Sequence, residues 1–258
     1  MTRAVTALWK ALFVPVLFIA LAEFGVRTYF PQSDSLAAPS EALRAGWAAL
    51  LSGELFALSL FTLSAAMGGL LIGGVLGLLV GVILGLVRPV DRVMTLSLEL
   101  FRPIPSIAFV PIGMLVFGFG YRMEISIVAF AAFWPMMIST RAGIASINVE
   151  LLEVARALRL GFWASTFKIV LPAAARRIFV GVRLAAGLSL VVAVTVEIAA
   201  NPNGLGYGMI AAQQSLRPEA MFAYLACIGL IGLALNSLLM HLERLMFRTR
   251  QSAKERSK

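Results

Sequence analysis

Long apolar runs constrain the fold of this chain more than any other feature of its sequence. Hydrophobic residues make up 60% of the 258 residues, whereas charged residues make up 14%. Several runs approach the ~20 residues with which an α-helix crosses about 30 Å of hydrocarbon. Backbone groups in lipid must be hydrogen-bonded within the spanning structure, and the short alternating segments of a barrel are absent from the sequence. The sequence therefore predicts an all-α polytopic membrane protein.

Six transmembrane helices are predicted from these runs. They lie at about 10–30, 56–87, 104–120, 123–141, 176–199 and 220–245. The first follows two basic residues, as a signal peptide does, but it continues to about Phe30 without a clear cleavage site, so we expect it to be retained. The chain then divides into 1–55 with the first span and an external stretch, 56–245 as the transmembrane domain, and 246–258 as a basic tail.

The basic residues predict the orientation of the spans. With the N-terminus in the cytoplasm, only Arg27, Arg44, Arg122 and Arg217 of the 22 Lys and Arg residues lie outside. Cytoplasmic loops carry the excess of Lys and Arg in membrane proteins. Both termini and the polar segment at about 148–172 are therefore predicted to be cytoplasmic. The same asymmetry accounts for the net charge of +9, so no nucleic-acid partner is expected.

One face of the second predicted span is lined with glycine. Five glycines follow one another at intervals of four residues: Gly69, Gly73, Gly77, Gly81 and Gly85. Small residues at this spacing let another helix approach closely in lipid. Ordinary packing within one subunit explains them most simply, while a contact between two subunits or a sliding surface stays open.

Prolines mark the third and fourth predicted spans. Arg102-Pro103-Ile104-Pro105 opens the third, and Arg102 is counted on the cytoplasmic side. Pro111 and Pro135 lie within the apolar runs. Because proline removes a backbone hydrogen bond from a helix interior, both are predicted to kink their helices.

Few polar groups within the spans could carry chemistry. Glu197 is the only acidic residue in the apolar run from about Ile178 to Ala200, and its position predicts that it lies near the outer interface. Simple solvation, a hydrogen bond to the Gly-rich loop that follows, and a role with substrate are all open. His241 has no second ligand at metal-binding spacing, and the single cysteine, Cys227, can form no internal disulfide, so no metal site is predicted.

The polar segment has the pattern of a short amphipathic helix. Asn148 is a plausible N-cap, and Glu150 in the first turn suits the helix dipole. An apolar stripe at helical spacing consists of Leu151, Ala155, Leu158 and Phe162. Charged residues flank it at Glu153, Arg156 and Arg159, and Gly161 is a stop signal. A helix that rests on lipid headgroups would show the same pattern, so periodicity alone leaves lipid and a protein partner open.

This segment resembles the EAA loop in the permeases of ATP-binding cassette (ABC) importers. The pattern of that family is Glu-Ala-Ala, three residues, Gly, and then eleven residues to Leu-Pro. Glu153-Val154-Ala155 and Leu171-Pro172 stand at the matching distance here. Arg159 stands at the position of the family glycine, and Gly161 follows two residues later, which puts the family turn in doubt for this chain.

Further motifs resemble the taurine, alkanesulfonate and nitrate permease branch of that family. The matching residues, in order, are Arg102-Pro103-Ile104-Pro105, Pro111, Phe117-Gly118, Gly120, Phe133-Trp134-Pro135, Gly143, Glu197 and Gly204-Leu205-Gly206-Tyr207. Their order and spacing follow the branch over about residues 55–245.

The resemblance implies a type I ABC importer permease in the bacterial inner membrane, working as a pair of copies, most simply a homodimer. It implies two ATP-binding cassette subunits in the cytoplasm and a solute-binding protein outside. The chain has no Gly-x-x-x-x-Gly-Lys-Ser/Thr loop. ATP is therefore expected to be bound by the partner, and the chain itself is expected to hold no cofactor and to be no enzyme.

The resemblance also implies the functional residues. The surface that couples to the ATPase would comprise Leu151, Glu153, Ala155, Arg156, Leu158 and Gly161. A pathway or external gate would comprise Glu197, Gly204, Gly206 and Tyr207.

The predicted function is the translocation path for a small solute, such as an organic sulfonate, a nitrate-like anion or a related molecule. The alternative is an ion-coupled secondary transporter, which would need a carboxylate or broken-helix ion site in the membrane. Glu197 is the only serious candidate for it. A membrane-embedded enzyme would need a paired His, Asp or Glu cluster, which the sequence does not show. The identity of the substrate stays open.

Overall fold

The structure, a computed structural model, describes residues 2–30, 33–148, 150–151, 153 and 157–255, with side chains between Phe13 and Phe247. All regular structure in these ranges is helical, which confirms the all-α class. The α-helices are α1 (Thr2–Tyr29), α2 (Pro39–Leu51), α3 (Glu54–Leu86), α4 (Arg88–Phe101), α5 (Val110–Phe117), α6 (Tyr121–Ala145), α7 (Phe162–Ser165), α8 (Leu171–Ala200), α9 (Leu205–Gln214) and α10 (Pro218–Glu255). A 3₁₀ turn at Ser106–Phe109 precedes α5, and a π-helical turn at Thr166–Val170 precedes α8.

The chain forms two compact units. One contains Met1–Phe61 and Asn203–Leu230, and the other contains Thr62–Pro202 and Ile231–Lys258. Within the first unit, the buried Tyr224 donates its hydroxyl to Glu54 at 2.8 Å. The second unit contains most of the residues on which the candidate site depends.

Four described helices are long and apolar enough to cross a membrane. They are Glu54–Leu86, Tyr121–Ala145, Phe162–Ala200 and Pro218–Phe247. These four coincide with the predicted second, fourth, fifth and sixth spans. The predicted first span falls on α1, whose side chains are described only from Phe13 onward, and its crossing of the membrane stays a prediction.

The helix at the third predicted span is shorter than predicted. Helical structure runs from Ser106 to Phe117, about 18 Å at 1.5 Å per residue, which is less than the ~30 Å of hydrocarbon. It is bent by 81° relative to α4, and the break between them holds Pro103 and Pro105. Together with α4 it can form a broken span.

Pro111 and Pro135 have different positions in their helices. Pro111 lies in the first turn of α5, where its missing N–H has no partner to lose, so it begins a helix instead of kinking one. The predicted kink at Pro111 is therefore wrong. Pro135 lies inside α6, as the sequence predicted.

Helix α4 occupies a stretch that the sequence analysis treated as a loop. It has a strongly one-sided distribution of apolar residues, and its polar face is tied to α6. Asp91 forms a salt bridge with Arg141 at 2.7 Å, and Arg141 also donates to the hydroxyl of Thr95 at 3.1 Å. These contacts link the amphipathic helix to the end of a membrane-spanning one.

The glycine face of α3 packs against α6 of the same chain. A Cβ added at Gly77 would lie 2.5 Å from the carbonyl oxygen of Phe133, and one added at Gly81 would lie 2.7 Å from that of Met137. At Gly85 it would lie 2.8 Å from the Cβ of Ile144. The five-glycine stripe thus serves packing within one subunit, the first of the three interpretations given above.

Small and β-branched residues also let α6 and α8 pack closely. The core between them contains Ile127, Val128, Ala131, Leu190, Ala193 and Val196. Because this core is apolar and tightly packed, α6 and α8 are held together in the same unit. The polar segment joins these two helices, so both of its ends are attached to well-packed spans.

Candidate functional site

The segment between α6 and α8 begins with a capped helical turn. The backbone N–H of Glu150 donates to the side-chain oxygen of Asn148 at 3.3 Å, and the amide of Asn148 donates to Glu150 at 3.2 Å. Glu150, Leu151, Glu153 and Ala157 are α-helical. The structure therefore agrees with the predicted N-cap. Two residues of the predicted coupling set, Ala155 and Arg156, lie outside the described residues.

Large apolar side chains in this segment are exposed instead of packed. We call Leu151, Leu158, Phe162, Trp163 and Phe167 the loop surface. Trp163 is 70% exposed and Leu158 is 64% exposed. The three aromatic rings stay together, with 5.5 Å between the centroids of Phe162 and Trp163 and 6.2 Å between those of Trp163 and Phe167. Exposed apolar clusters of this kind mark surfaces that contact another protein or a membrane.

The sequence analysis found only part of the loop surface. It included Leu151, Leu158 and Phe162, but it missed Trp163 and Phe167 because they follow the predicted helix stop at Gly161. The four-residue spacing between Trp163 and Phe167, which is helical, is the signal that could have predicted them. Glu153 and Gly161, from the predicted coupling set, are also exposed and lie in the same segment.

The loop surface is anchored to the spans by a small buried core. Val170, at the end of the π-helical turn, packs with Ile144 of α6 and Ala174 of α8. All three are buried. Thr166 is buried as well and donates its hydroxyl to the carbonyl oxygen of Phe162 at 2.9 Å. A force applied to the exposed aromatic residues would therefore reach both spans through packed contacts.

Arg159, which stands at the position of the family glycine, has a left-handed backbone conformation. Its φ is 47°, in the left-handed region, whereas Gly161 has a φ of −62° and an extended backbone. A left-handed backbone at this position is thus adopted here by a residue that carries a Cβ. A left-handed residue with a Cβ costs about 1–2 kcal/mol. Gly161 serves instead as the residue that precedes α7.

We expect Arg159→Gly and Arg159→Asn to retain solute uptake within about twofold, because both residues tolerate a positive φ. Arg159→Val is expected to reduce uptake severalfold, since a β-branched residue is strained there by about 2 kcal/mol. Uptake by membrane vesicles at matched expression measures the effect. Equal uptake by the Val and Gly variants would contradict a turn that depends on this conformation.

Glu197 lies in a buried polar cluster and not in solvent. Glu124 of α6, Glu197 of α8 and Asn201, which follows α8, are all at most 2% exposed. Asn201 donates its side-chain amide to Glu124 at 2.5 Å, and the side chain of Glu197 interacts with the same carboxyl group. Simple solvation of Glu197 is therefore wrong. Buried polar groups need partners, and Asn201 supplies one to Glu124 between the two spans.

Glu124 and Asn201 were not predicted from the sequence. Glu124 lies at the start of the predicted span at about 123–141, just after Gly118 and Gly120, where an acidic residue is unremarkable. The remaining predicted gate residues, Gly204, Gly206 and Tyr207, lie in the other compact unit. There Gly204 has a φ of 91° and precedes α9, while Tyr207 is exposed on that helix.

The fold and the loop surface define a class of protein. Four helices long and apolar enough to cross a membrane, with an exposed apolar segment attached between two of them, are typical of a multi-pass membrane protein. Residues 73–248 match the family of binding-protein-dependent transport system inner membrane components, and the chain belongs to this family. It is the permease subunit of an ATP-driven importer, in which ATP hydrolysis takes place in a separate subunit.

Two relatives match the chain over most of both lengths. The aliphatic sulfonates transport permease SsuC of Escherichia coli (strain K12) is 31% identical, over 92% of this chain and 90% of its own length. The riboflavin transport system permease RibX of Chloroflexus aurantiacus is 35% identical, over 93% of this chain and 91% of its own. These matches confirm the family that the sequence motifs indicated.

A solved structure of the MetNI methionine ABC transporter, in inward-facing conformations, contains a chain with a similar fold. The TM-score is 0.57 at 19% identity, and the similarity covers 80% of this chain and 99% of that chain. At this identity the match supports the fold alone. ATP-driven import, and not the ion-coupled alternative, is the function of the family that residues 73–248 match.

Proposed function

We propose that this chain forms the translocation path of an importer for small anions, and that a separate ATP-binding subunit docks on the loop surface. The observation that carries the proposal is the exposure of the loop surface on a segment whose end is buried between α6 and α8. A surface of this kind is costly to leave in water, so it favours a protein partner.

The loop surface would transmit motion from the partner to the spans. ATP would close two ATP-binding subunits, and each would move the aromatic cluster of the permease on which it docks. Because Val170 packs against residues of both spans, α6 and α8 would move with it. This is a two-state change, and ATP can bias it only if the docking contacts differ between the two states. Leu151 and Leu158 would add apolar contact, and Glu153 would orient the partner.

The assembly and its placement follow from the family resemblance. The proposed importer contains two copies of this chain, two ATP-binding cassette subunits that hold the ATP, and an external solute-binding protein. It lies in the bacterial inner membrane with six spans, both termini in the cytoplasm, and segment boundaries near residues 55 and 245. Gly204, Gly206 and Tyr207 would belong to the external side, and Ala155 and Arg156 to the cytoplasmic side.

An organic sulfonate or nitrate-like anion is the proposed class of substrate. The motifs from Arg102 to Tyr207 resemble the branch that handles such anions, and SsuC, at 31% identity, is named for sulfonates. RibX, at 35% identity, is named for riboflavin, so the names of relatives alone do not choose between small anions and larger heterocycles.

The test is to purify the full chain from its native membrane and to ask what accompanies it. We expect an ATP-binding subunit in equal amount, and uptake in proteoliposomes that needs ATP and the solute-binding protein. Uptake of sulfonates such as taurine, of nitrate and of riboflavin is then compared. Transport by the chain alone, driven by an ion gradient, would refute the proposal.

A further inference from the structure

A cavity of about 250 Å³, open on one side, lies in the second unit where the broken segment before α5 meets α6 and α8. Residues that line it include Arg102, Ser106, Phe130, Trp134, Pro135 and Leu188. None of the described residues lining it is acidic. Its size suits a small solute better than a drug-sized molecule, for which pockets begin at about 300 Å³.

The cavity lies near the middle of the spanning helices. Trp134 is separated from Tyr121 and Ala145, the two ends of α6, by about 20 Å and 17 Å of helix at 1.5 Å per residue. Leu188 lies about 18 Å from the end of α8 at Ala200. Both helices therefore place the cavity deep within a hydrocarbon layer of about 30 Å.

This depth changes the interpretation of Arg102. The count of basic residues assigned it to the cytoplasmic side, but the structure places it beside the middle of α6 and α8. The 81° break between α4 and Ser106–Phe117 carries it there. A charged side chain at this depth is costly and faces a water-filled path or a ligand. Arg102 forms no ion pair with the described residues.

The hydrogen-bonding groups that line the cavity are suited to an anion. The guanidinium of Arg102 is always charged and can donate two parallel hydrogen bonds to an oxyanion. Ser106 contributes a hydroxyl. The indole N–H of Trp134 is buried and has no acceptor in the described part of the chain, although a buried donor of this kind normally has one.

The walls of the cavity are apolar and aromatic. The rings of Phe109 and Phe130 lie 4.6 Å apart between centroids, and those of Phe130 and Trp134 lie 5.8 Å apart. These contacts hold the Trp134 ring in place beside Phe130. A small organic group attached to the anion could lie against this wall, as apolar linings commonly allow.

We propose that Arg102, Ser106 and Trp134 form an oxyanion-binding subsite halfway along the translocation path, which takes the sulfonate, nitrate or comparable head of the transported solute. This proposal rests on the proposed function, since it assigns the substrate anion a place in the same path. Arg102 supplies the charge, Ser106 and Trp134 supply neutral donors, and the aromatic wall accepts an apolar tail.

The test uses cysteine chemistry in the full chain, purified with its ATP-binding subunit in detergent. Cys227 is the only cysteine, so Cys227→Ser gives a thiol-free background, to which Ser106→Cys is added. The reaction rates of this thiol with an anionic sulfonatoethyl and a cationic trimethylammonioethyl methanethiosulfonate are measured, each relative to free glutathione. Arg102→Gln is expected to lower the anionic-to-cationic rate ratio about tenfold, because it removes a charge close to the thiol.

Two matched variants control for the substitution itself. Arg102→Lys keeps the charge and should keep the rate ratio within about threefold. Arg92→Gln removes an exposed arginine from α4, outside the lining of the cavity, and should also leave the ratio unchanged. A ratio that is insensitive to Arg102→Gln, or a thiol that neither reagent reaches, would overturn the proposed subsite.

Occupancy is tested with a neutral reagent, methyl methanethiosulfonate. Ethanesulfonate or nitrate at tens of millimolar should slow its reaction with the thiol at least about threefold, and choline should not. Arg102→Gln should abolish this protection. Absence of protection by both anions would overturn the subsite while leaving the importer intact, since copurification of the ATPase and ATP-dependent uptake test that function separately.

Discussion

Trp163→Ala is expected to reduce ATP-driven uptake by a factor of ten or more while the chain is still inserted and folded. Trp163 is the most exposed member of the aromatic part of the loop surface, so removing its ring breaks no internal core. Buried tryptophans at protein interfaces commonly contribute 2 kcal/mol or more to binding, which corresponds to roughly a 30-fold weaker complex. The ATP-binding subunit should accordingly be lost during purification, or its ATPase activity should no longer follow solute.

Trp47→Ala is the matched control for this variant. Trp47 is 63% exposed on α2, in the other compact unit, and the same number of atoms is removed. Uptake by Trp47→Ala should stay within twofold of the native chain. Insertion of both variants is checked by extraction from membranes and by thermal unfolding in detergent. Normal coupled uptake by Trp163→Ala at normal expression would show that docking does not use the loop surface.

The spans could be predicted because their signal is local. An apolar run of sufficient length forms a helix in lipid whatever its neighbours are, and four such runs became long helices at the predicted places. The N-cap at Asn148 is local for the same reason, because its hydrogen bonds join residues two apart. The importer function could be predicted only from the family motifs, because neither an apolar run nor a helix cap indicates it.

The shape of the third predicted span could not be obtained in this way. Hydropathy does not register the 81° bend at the break that holds Pro103 and Pro105, and it therefore predicted one continuous span at about 104–120. The same break moves Arg102 from a predicted cytoplasmic loop to the side of α6. Counting charges along the sequence assigns sides by order in the chain, so it does not register that a break brings Arg102 beside α6.

The polar contacts of Glu197 in the second unit could not be predicted from the sequence for a related reason. Glu197 could be singled out from the sequence, but its neighbours come from distant positions, since Glu124 and Asn201 are 77 positions apart. Nothing in the hydropathy of α6 indicates that its first turn faces α8. The positive φ of Arg159 could not be predicted either. The sequence shows only that a residue with a Cβ stands at the position of the family glycine, and it does not show which backbone conformation that residue adopts.

Gly73→Ala is expected to destabilise the folded chain by about 3 kcal/mol, the upper end for an overfilled core. The added Cβ would meet the carbonyl group of Ala129, with its carbon at 2.8 Å and the Cα of Ala129 at 2.9 Å. These are backbone atoms of α6, so no side chain can turn aside to make room. The α3–α6 distance must increase, which would also disturb the contacts at Gly69 and Gly77.

Gly74→Ala, one residue further along α3, separates this clash from any general effect of alanine. A Cβ at Gly74 meets nothing within 4 Å, so the substitution should be neutral or should stabilise the helix by up to about 1 kcal/mol, because alanine is the better helix former. Adjacent residues with identical chemistry are therefore expected to have effects of opposite sign. Thermal unfolding in detergent, followed by the fluorescence of the four tryptophans, measures both. Equal midpoints for the two variants would mean that the glycine face of α3 does not pack against α6 in the membrane, and the contact would then have to be sought in a second subunit.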